Sequence, residues 1–279
     1  MERKVGFIGA GNMGSAMIGG IIKAGFTDPQ NVSVFDPKED QVAFLGDQYG
    51  INKVDSVESL IQDSHLLVLA VKPNLYPTVL KQIKKHLRTT HIIITIAAGV
   101  SLRQVEEIIG KSYKIIRTMP NTPALVQQGM AALCPNEQMK EKDFQLVGEL
   151  FNSFGKWEKV DEKLIDTVIA VSGSAPAYVF MFVEAMADAA VQGGMPRKQA
   201  YQFAAQTIMG AASMVMETEK HPGELKDMVC SPGGTTIEAV RSLEKSGFRS
   251  AIIEAMVDCM NKADDMNAQS SKHSSSTNG

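Results

Sequence analysis

Three glycines at fixed spacing supply the first chemistry in this chain. Gly9, Gly11 and Gly14 follow the apolar run Val5-Gly6-Phe7-Ile8, and a helical pattern begins near Asn12. Between a strand and a helix, G-x-G-x-x-G is a dinucleotide fingerprint. Gly9 permits the tight turn, Gly11 lets a pyrophosphate approach the backbone, and Gly14 lets the helix pack close to the strand. Ala10, Asn12 and Met13 complete the loop, and the helix start turns free N–H groups and a positive dipole end toward phosphate. A second glycine-bearing helix start comes late, at Ser231-Pro232-Gly233-Gly234-Thr235-Thr236, ahead of Ile237, Ala239, Val240 and Leu243. An ordinary helix start needs one cap residue. Two glycines with three hydroxyl residues offer more, an anion site suited to a substrate carboxylate.

Ligands of open parallel sheets bind at the carboxyl ends of the strands, so the residues after each apolar run matter. Asp36, followed by Pro37 and Lys38, ends the second run. Its carboxylate can accept both ribose hydroxyls of NAD and repel the 2′-phosphate of NADP. Lys38 can instead hold that phosphate, which leaves NADH and NADPH both open. Ala70-Val71-Lys72-Pro73 follows the most apolar run and sets a fixed positive charge, Lys72, at the cleft. Ala97-Ala98-Gly99 is small enough for a flat ring to lie against backbone. Pro120-Asn121-Thr122-Pro123 is a stiff turn with an amide and a hydroxyl, placed to line the nicotinamide site. Each stretch also makes sense as a plain turn. Cys230 adjoins the late motif but has no histidine near it in sequence, and it reads as a small buried residue. His65, His86, His91, His221 and His273 share no ligand spacing, and no metal site is expected.

The elements that must carry these residues alternate. Strand patterns at Val32–Phe35, Leu66–Val71, Ile92–Ile96 and Tyr113–Met119 are separated by helical stripes at Asn12–Ala24, Lys38–Tyr49, Pro77–Leu87 and a helix capped by Ser101. That alternation predicts a parallel sheet covered on both faces, a Rossmann-type α/β domain over residues 1–160. Met130–Cys134 and Gly155–Val160 read as later strands around a helix from Met139 to Phe154. From residue 161 to 267 strand signals fade and helices follow one another. Ala175–Gln192 is almost wholly apolar or small, with Glu184, Asp188 and Gln192 on one stripe. Such a helix must be buried on most sides. Most of the methionines lie after residue 180, and adaptable Met side chains suit either core filling or a subunit interface. The interface is favoured, because an all-helical segment this short has little else to cover that helix. Residues 268–279, rich in Ser, Thr and Asn, are expected to be disordered.

Bulk composition narrows the class. The chain has 279 residues, a formal charge of −3 and 44% hydrophobic residues, with no basic stripe to suggest nucleic-acid binding. Three cysteines without C-x-x-C spacing accord with a reducing cytoplasm rather than a disulfide framework. The first strand begins too early to leave room for a signal peptide, and no uncharged apolar run reaches the roughly 20 residues of a bilayer span.

The residues together resemble the pyrroline-5-carboxylate reductase family. Pro222 and Leu225, Val229-Cys230-Ser231-Pro232-Gly233-Gly234-Thr235-Thr236, then Ala239, Val240, Leu243 and Glu244 match its late signature. Phe7-Ile8-Gly9-Ala10-Gly11-Asn12-Met13-Gly14, Ala70-Val71-Lys72-Pro73, Ala97-Ala98-Gly99-Val100, Met119-Pro120-Asn121-Thr122-Pro123 and Ser172-Gly173-Ser174-Ala175-Pro176-Ala177-Tyr178 follow in the family's order. The resemblance implies reduction of the cyclic imine of 1-pyrroline-5-carboxylate to L-proline by NADPH or NADH, the last step of proline synthesis. It implies homodimers formed through interleaved helical domains, further assembled into rings, with the site between one subunit's nucleotide domain and its partner's helical domain. Carried over by position, Ser231, Gly233, Gly234, Thr235 and Thr236 cradle the carboxylate, Thr236 meets the imine nitrogen, and Glu219 and Asn121 line the substrate. Asp36 stands where the family often has a small polar or basic residue, which puts the preference for NADPH in question. A protonated imine accepts hydride without a strong protein acid, so the protein's task is orientation. Two other readings share the first loop. A 3-hydroxyacid dehydrogenase would carry a lysine in the helix after Gly173, and none occurs through Asp188. A non-enzymatic redox sensor would have no use for Ser231–Thr236.

Overall fold

The computed structural model describes residues 3–276, and side chains as far as residue 266. Eight strands form one sheet: β1 (Val5–Ile8), β2 (Val32–Phe35), β3 (Asn52–Lys53), β4 (Leu66–Leu69), β5 (Ile92–Thr95), β6 (Lys114–Met119), β7 (Gly129–Pro135) and β8 (Gly155–Lys159). Their order is β3-β2-β1-β4-β5-β6-β7-β8. All neighbours run parallel except β6 and β7, which pair antiparallel with Met119 opposite Ala132. The exception has a local cause. The β6–β7 connection is one short 3-10 turn, Thr122–Val126, too little chain for the crossover a parallel pair needs.

Strand residues divide by period two between the sheet's faces. Val5, Phe7, Val32, Val34, Leu66, Val68, Ile92 and Ile94 join one core cluster, with Met17, Ile18 and Ile21 of α1 (Asn12–Lys23), Val42 and Leu45 of α2 (Glu39–Tyr49) and residues of α6 below. Ile8, Leu67, Leu69, Ile93 and Ile115 join the other, with Leu60 of α3 (Val57–Gln62), Leu80 and Ile83 of α4 (Tyr76–Lys84) and Val105 of α5 (Leu102–Ile109). Each fully buried side chain of this kind contributes ~1.5–3 kcal/mol. Ser101 caps α5 as its sequence suggests: its hydroxyl accepts from Gln104 N, and Gln104 Oε1 accepts from Ser101 N at 2.8 Å. Helix α6 (Glu141–Asn152) packs Phe144, Val147, Leu150 and Phe151 into the first cluster.

The chain divides into two compact units, residues 1–174 with the chain from Cys259 onward, and Ala175–Asp258. After β8 the short helix α7 (Ile165–Val168) continues as a π-helical turn, Ile169–Ser174, and Ile165 and Ala170 are buried. The second unit holds α8 (Ala175–Gln192), α9 (Arg197–Thr218), α10 (Pro222–Val229), α11 (Thr235–Lys245) and the start of α12 (Phe248–Ser276). Described backbone in α12 is helical through Ser276, over most of the stretch whose composition suggests disorder, and residues 277–279 lie outside the described residues. In α8 only Ala187 is buried. Within one chain Phe180 is 62% exposed and Met181 67%, so the cover expected for this helix is not supplied by its own chain. By length and composition the continuous helical stretch Glu162–Gln192 could also cross a membrane.

Candidate cofactor and substrate sites

The order of strands reverses between β1 and β4, and in open α/β sheets the crevice at such a switch point takes the ligand. The glycine loop leaves β1 there, and Ala70–Pro73 leaves β4 beside it. Gly9 has φ +107°, and a Cβ on it would lie 2.6 Å from the Ala70 carbonyl oxygen. A Cβ on Gly14 would lie 2.7 Å from the Gly9 carbonyl oxygen. Both contacts are with backbone, which cannot swing aside. Around Gly11 no atom lies within 4 Å of the added Cβ position. The loop is therefore crowded on its protein side and open where a pyrophosphate would approach. Gly11 is the N-cap of α1 and has no side chain to close the helix end, so the first-turn N–H groups remain donors for an anion. These residues fit a dinucleotide.

Asp36 is held within this loop. Its Oδ2 accepts from Ala10 N at 2.8 Å and its Oδ1 from Lys38 N at 2.9 Å. The carboxylate thus ties the glycine loop to the end of β2, and each oxygen retains acceptor capacity for a ribose hydroxyl. Pro37 and Lys38 are exposed beside it. The Lys38 and Lys72 ammonium groups make no ion pair among the described residues, so both cations are available to phosphate. Val71 is half-buried, Ala97 and Gly99 are buried, and Gly99 takes φ +78°. Ala98 is half-buried and Thr122 exposed at the same edge.

Two supporting residues act through hydrogen bonds to distant segments: Tyr76, which lies in no motif, and Ser172, which opens the run Ser172–Tyr178 without a role of its own legible there. Tyr76 is fully buried, donates to the Leu69 carbonyl at 2.6 Å and accepts from Ile96 N at 3.3 Å. Its phenol joins the ends of β4 and β5, from which the Ala70–Pro73 and Ala97–Gly99 loops depart, and burial pushes its pKa up. Ser172, in the π-helical turn, accepts from the Asn121 side-chain amide. Asn121 reaches the sheet edge as its sequence implies, but its side chain faces Ser172 and Met130.

The second glycine-bearing start lies in the helical unit. Gly234 is the N-cap of α11 and, like Gly11, brings no side-chain cap. Gly233 has φ +67° with open space around it. A Cβ on Gly234 would meet Ser231 Oγ and displace that hydroxyl from its place in the turn. Gly234 N donates to the Ser231 carbonyl at 3.0 Å. The hydroxyls of Ser231, Thr235 and Thr236 make no hydrogen bond among the described residues, and Thr236 is half-buried. Apart from the Gly234 N–H taken by the Ser231 carbonyl, the arrangement is an exposed turn whose three hydroxyls have no internal partner. Cys230, expected to be buried, is half-buried at the end of α10 because it lies where that helix stops. Cys134 is the buried thiol, and burial pushes its pKa up to about 11. Glu219 ends α9 in the left-handed region, φ +54°, and is exposed.

Comparison with known proteins bears on both sites. A family model described as pyrroline-5-carboxylate reductase dimerisation matches residues 162–266. Another, described as NADP oxidoreductase coenzyme F420-dependent, matches residues 4–99. The pyrroline-5-carboxylate reductase of Escherichia coli is 54% identical over 264 residues, which are 95% of this chain and 98% of that protein. Among solved structures, a pyrroline-5-carboxylate reductase from Coxiella burnetii has a TM-score of 0.89 at 33% identity, covering 95% of this chain and 99% of its own. Plasmodium falciparum pyrroline carboxylate reductase, solved with NADP bound, has a TM-score of 0.86 at 34% identity, covering 96% of this chain and all of its own.

Proposed function

The chain belongs to the pyrroline-5-carboxylate reductase family, and from that premise we propose how its residues divide the work. It is an NAD(P)H-dependent oxidoreductase that reduces the imine of 1-pyrroline-5-carboxylate to L-proline. Reduced nicotinamide supplies the hydride when bound. Gly9, Ala10, Gly11, Asn12, Met13 and Gly14 hold the pyrophosphate at the start of α1. Asp36, Pro37 and Lys38 hold the adenosine ribose. Ala70, Val71, Lys72 and Pro73, with Ala97, Ala98, Gly99 and Thr122, line the rest of the dinucleotide's path. Ser231, Gly233, Gly234 and Thr235 grip the substrate carboxylate, and Thr236 orients the imine nitrogen through its hydroxyl. Glu219 closes the substrate side, and Asn121 holds the turn that carries Thr122.

The observation that carries this division is the late loop. A glycine-entered helix start with three uncommitted hydroxyls supports a carboxylate grip, for which a protein that only sensed cofactor redox state has no use. The test is oxidation of NADH and of NADPH in the presence of 1-pyrroline-5-carboxylate. Turnover is expected, and none with either cofactor would sink the reading. Thr236→Ala should lower kcat by about a hundredfold to a thousandfold, the range for removing one donor at the reacting centre. Wild-type kinetics from that variant would end the role of Thr236.

Asp36 sets the proposed cofactor preference toward NADH, through repulsion of a 2′-phosphate. Asp36→Asn keeps an acceptor oxygen for the loop while removing the charge, and Asp36→Ser shortens the group. Both should move the NADPH/NADH ratio of kcat/KM upward, by about tenfold for one like-charge contact removed. An unchanged ratio would remove Asp36 from cofactor choice. We also propose a cytoplasmic homodimer, joined through the dimerisation domain and assembled further into a ring.

A further inference from the structure

We propose that Asn121 is a positioning residue, a pin that fixes the cofactor-edge turn after β6 against the π-helical turn Ile169–Ser174. The inference rests on the reductase reading only for its kinetic readout. Three segments meet at one side chain. Asn121 Oδ1 accepts from Met130 N at 2.9 Å, which ties the end of β6 to the start of β7. Asn121 Nδ2 donates to the Ser172 carbonyl at 3.2 Å and to Ser172 Oγ at 3.1 Å. The amide orientation follows from its partners. Met130 N–H requires an acceptor and the Ser172 carbonyl requires a donor, so oxygen and nitrogen cannot be exchanged. Asn121 is 9% exposed, and both amide hydrogens are committed.

The π-helical turn has a reason to need this donor. Pro176 carries no N–H, so the carbonyl four residues earlier, that of Ser172, loses its ordinary α-helical donor. The helix widens over Ile169–Ser174, and the Asn121 amide takes up the Ser172 carbonyl from outside the helix. A second contact brings the same two segments together. The Met119 side chain packs on Gly173, its Cε 2.7 Å from where a Cβ would stand, so the end of β6 and the turn are in direct contact. π-Helical turns recur at functional sites. This one holds the turn carrying Thr122 in place, and with it the edge on which a nicotinamide ring must be presented at correct distance. Misplacement by about an ångström costs up to a hundredfold in rate.

A double-mutant cycle separates a pin from a ligand. Asn121→Ala should lower kcat by about tenfold, with the KM for NADPH and NADH within about twofold of wild type. Ser172→Ala should lower kcat less, and should lower it no further when Asn121 is already alanine. If instead Asn121→Ala raises a KM and Ser172→Ala leaves wild-type kcat untouched, Asn121 contacts cofactor or substrate directly and the pin is wrong. If Asn121→Ala lowers only the melting temperature, the contact is merely structural and the proposal also fails. Asn121→Asp provides a readout independent of turnover. It keeps the acceptor for Met130 N and places an oxygen against the Ser172 carbonyl. Amide hydrogen exchange of residues 169–177 should then accelerate in the full-length protein while β1 and β4 stay protected. Unchanged exchange would overturn the pin whether or not the enzyme reduces the imine, and absence of wild-type turnover would overturn the reductase reading alone.

Discussion

Strands β1, β4 and β5 bury every one of their residues, whereas α8 buries only Ala187. Both segments are strongly apolar in sequence, so hydrophobicity alone does not separate them. The sheet unit closes its core within one chain, with α1, α2 and α6 covering one face and α3, α4 and α5 the other. In the helical unit Phe180, Met181, Phe203 and Met216 are each more than 60% exposed. Exposed apolar side chains in such number mark an interaction surface. The matched dimerisation model covers this region, and a second copy of the chain is the surface that would complete its core.

A charge on α8 is felt only if a partner covers that helix. Phe180→Asp should convert the proposed dimer to monomer and lower turnover by more than about a hundredfold, since an unpaired charge buried in an interface costs several kcal/mol. On a face open to water the same change should cost within about 0.5 kcal/mol. Sedimentation velocity and turnover distinguish the cases. Unchanged mass with unchanged activity would show that α8 is an ordinary surface and that the contrast between the units is only one of composition.

The two glycine-entered helix starts offer a smaller test of the same contrast. Gly9→Ala drives a Cβ against the Ala70 carbonyl in a loop already at φ +107°, and the surrounding sheet cannot yield. NADH and NADPH binding should weaken by about a hundredfold or more, a few kcal/mol of backbone displacement. Gly233→Ala meets open space at φ +67°, so only the left-handed conformation is penalised, by ~1–2 kcal/mol. Its effect should appear as a rise of about tenfold in the substrate KM, with cofactor binding unchanged. Equal losses at the two positions would mean that the late loop is as tightly enclosed in the assembled protein as the first.

What the sequence discloses follows the same line. Short apolar runs between helical stripes place β1, β2, β4, β5 and β6 within a residue or two, because a strand buried on both faces leaves a local signature, a continuous apolar run bounded by turn residues. The Ser101 cap was legible for the same reason, as a box closed over three residues. β3, only Asn52–Lys53, and the short α3 were not, since neither is long enough to show a period. The reversal of β7 depended on the shortness of one connection rather than on its residues. At the sites, glycines and hydroxyls announce themselves by spacing. Tyr76 does not, nor does the role of Ser172 within its motif, because each works through a hydrogen bond to a segment distant in sequence. The Asp36 bond to Ala10 N is equally long-range. The sequence shows the residue's charge but not that the loop already uses it.

Glu219 distinguishes a strained cap from a working carboxylate. Among the described residues most of those at positive φ are glycines, and the exceptions are Gln127 in the sheet unit and Glu219 in the helical unit. Glu219 ends α9 at φ +54° and ψ +12° without burial to offset the strain. Glycine has no Cβ penalty there, although it also loosens the unfolded chain, which takes back part of the gain. Glu219→Gly should therefore stabilise the helical unit by about 0.5–1 kcal/mol, read from urea unfolding. If the carboxylate serves only the cap, turnover stays at the wild-type level while stability rises. If it lines the substrate, stability rises and kcat/KM falls, and the opposite signs separate the two roles. A loss of stability would mean that the left-handed turn is held by contacts of the Glu219 side chain in the assembled protein, and would place that residue inside an interface rather than at a free helix end.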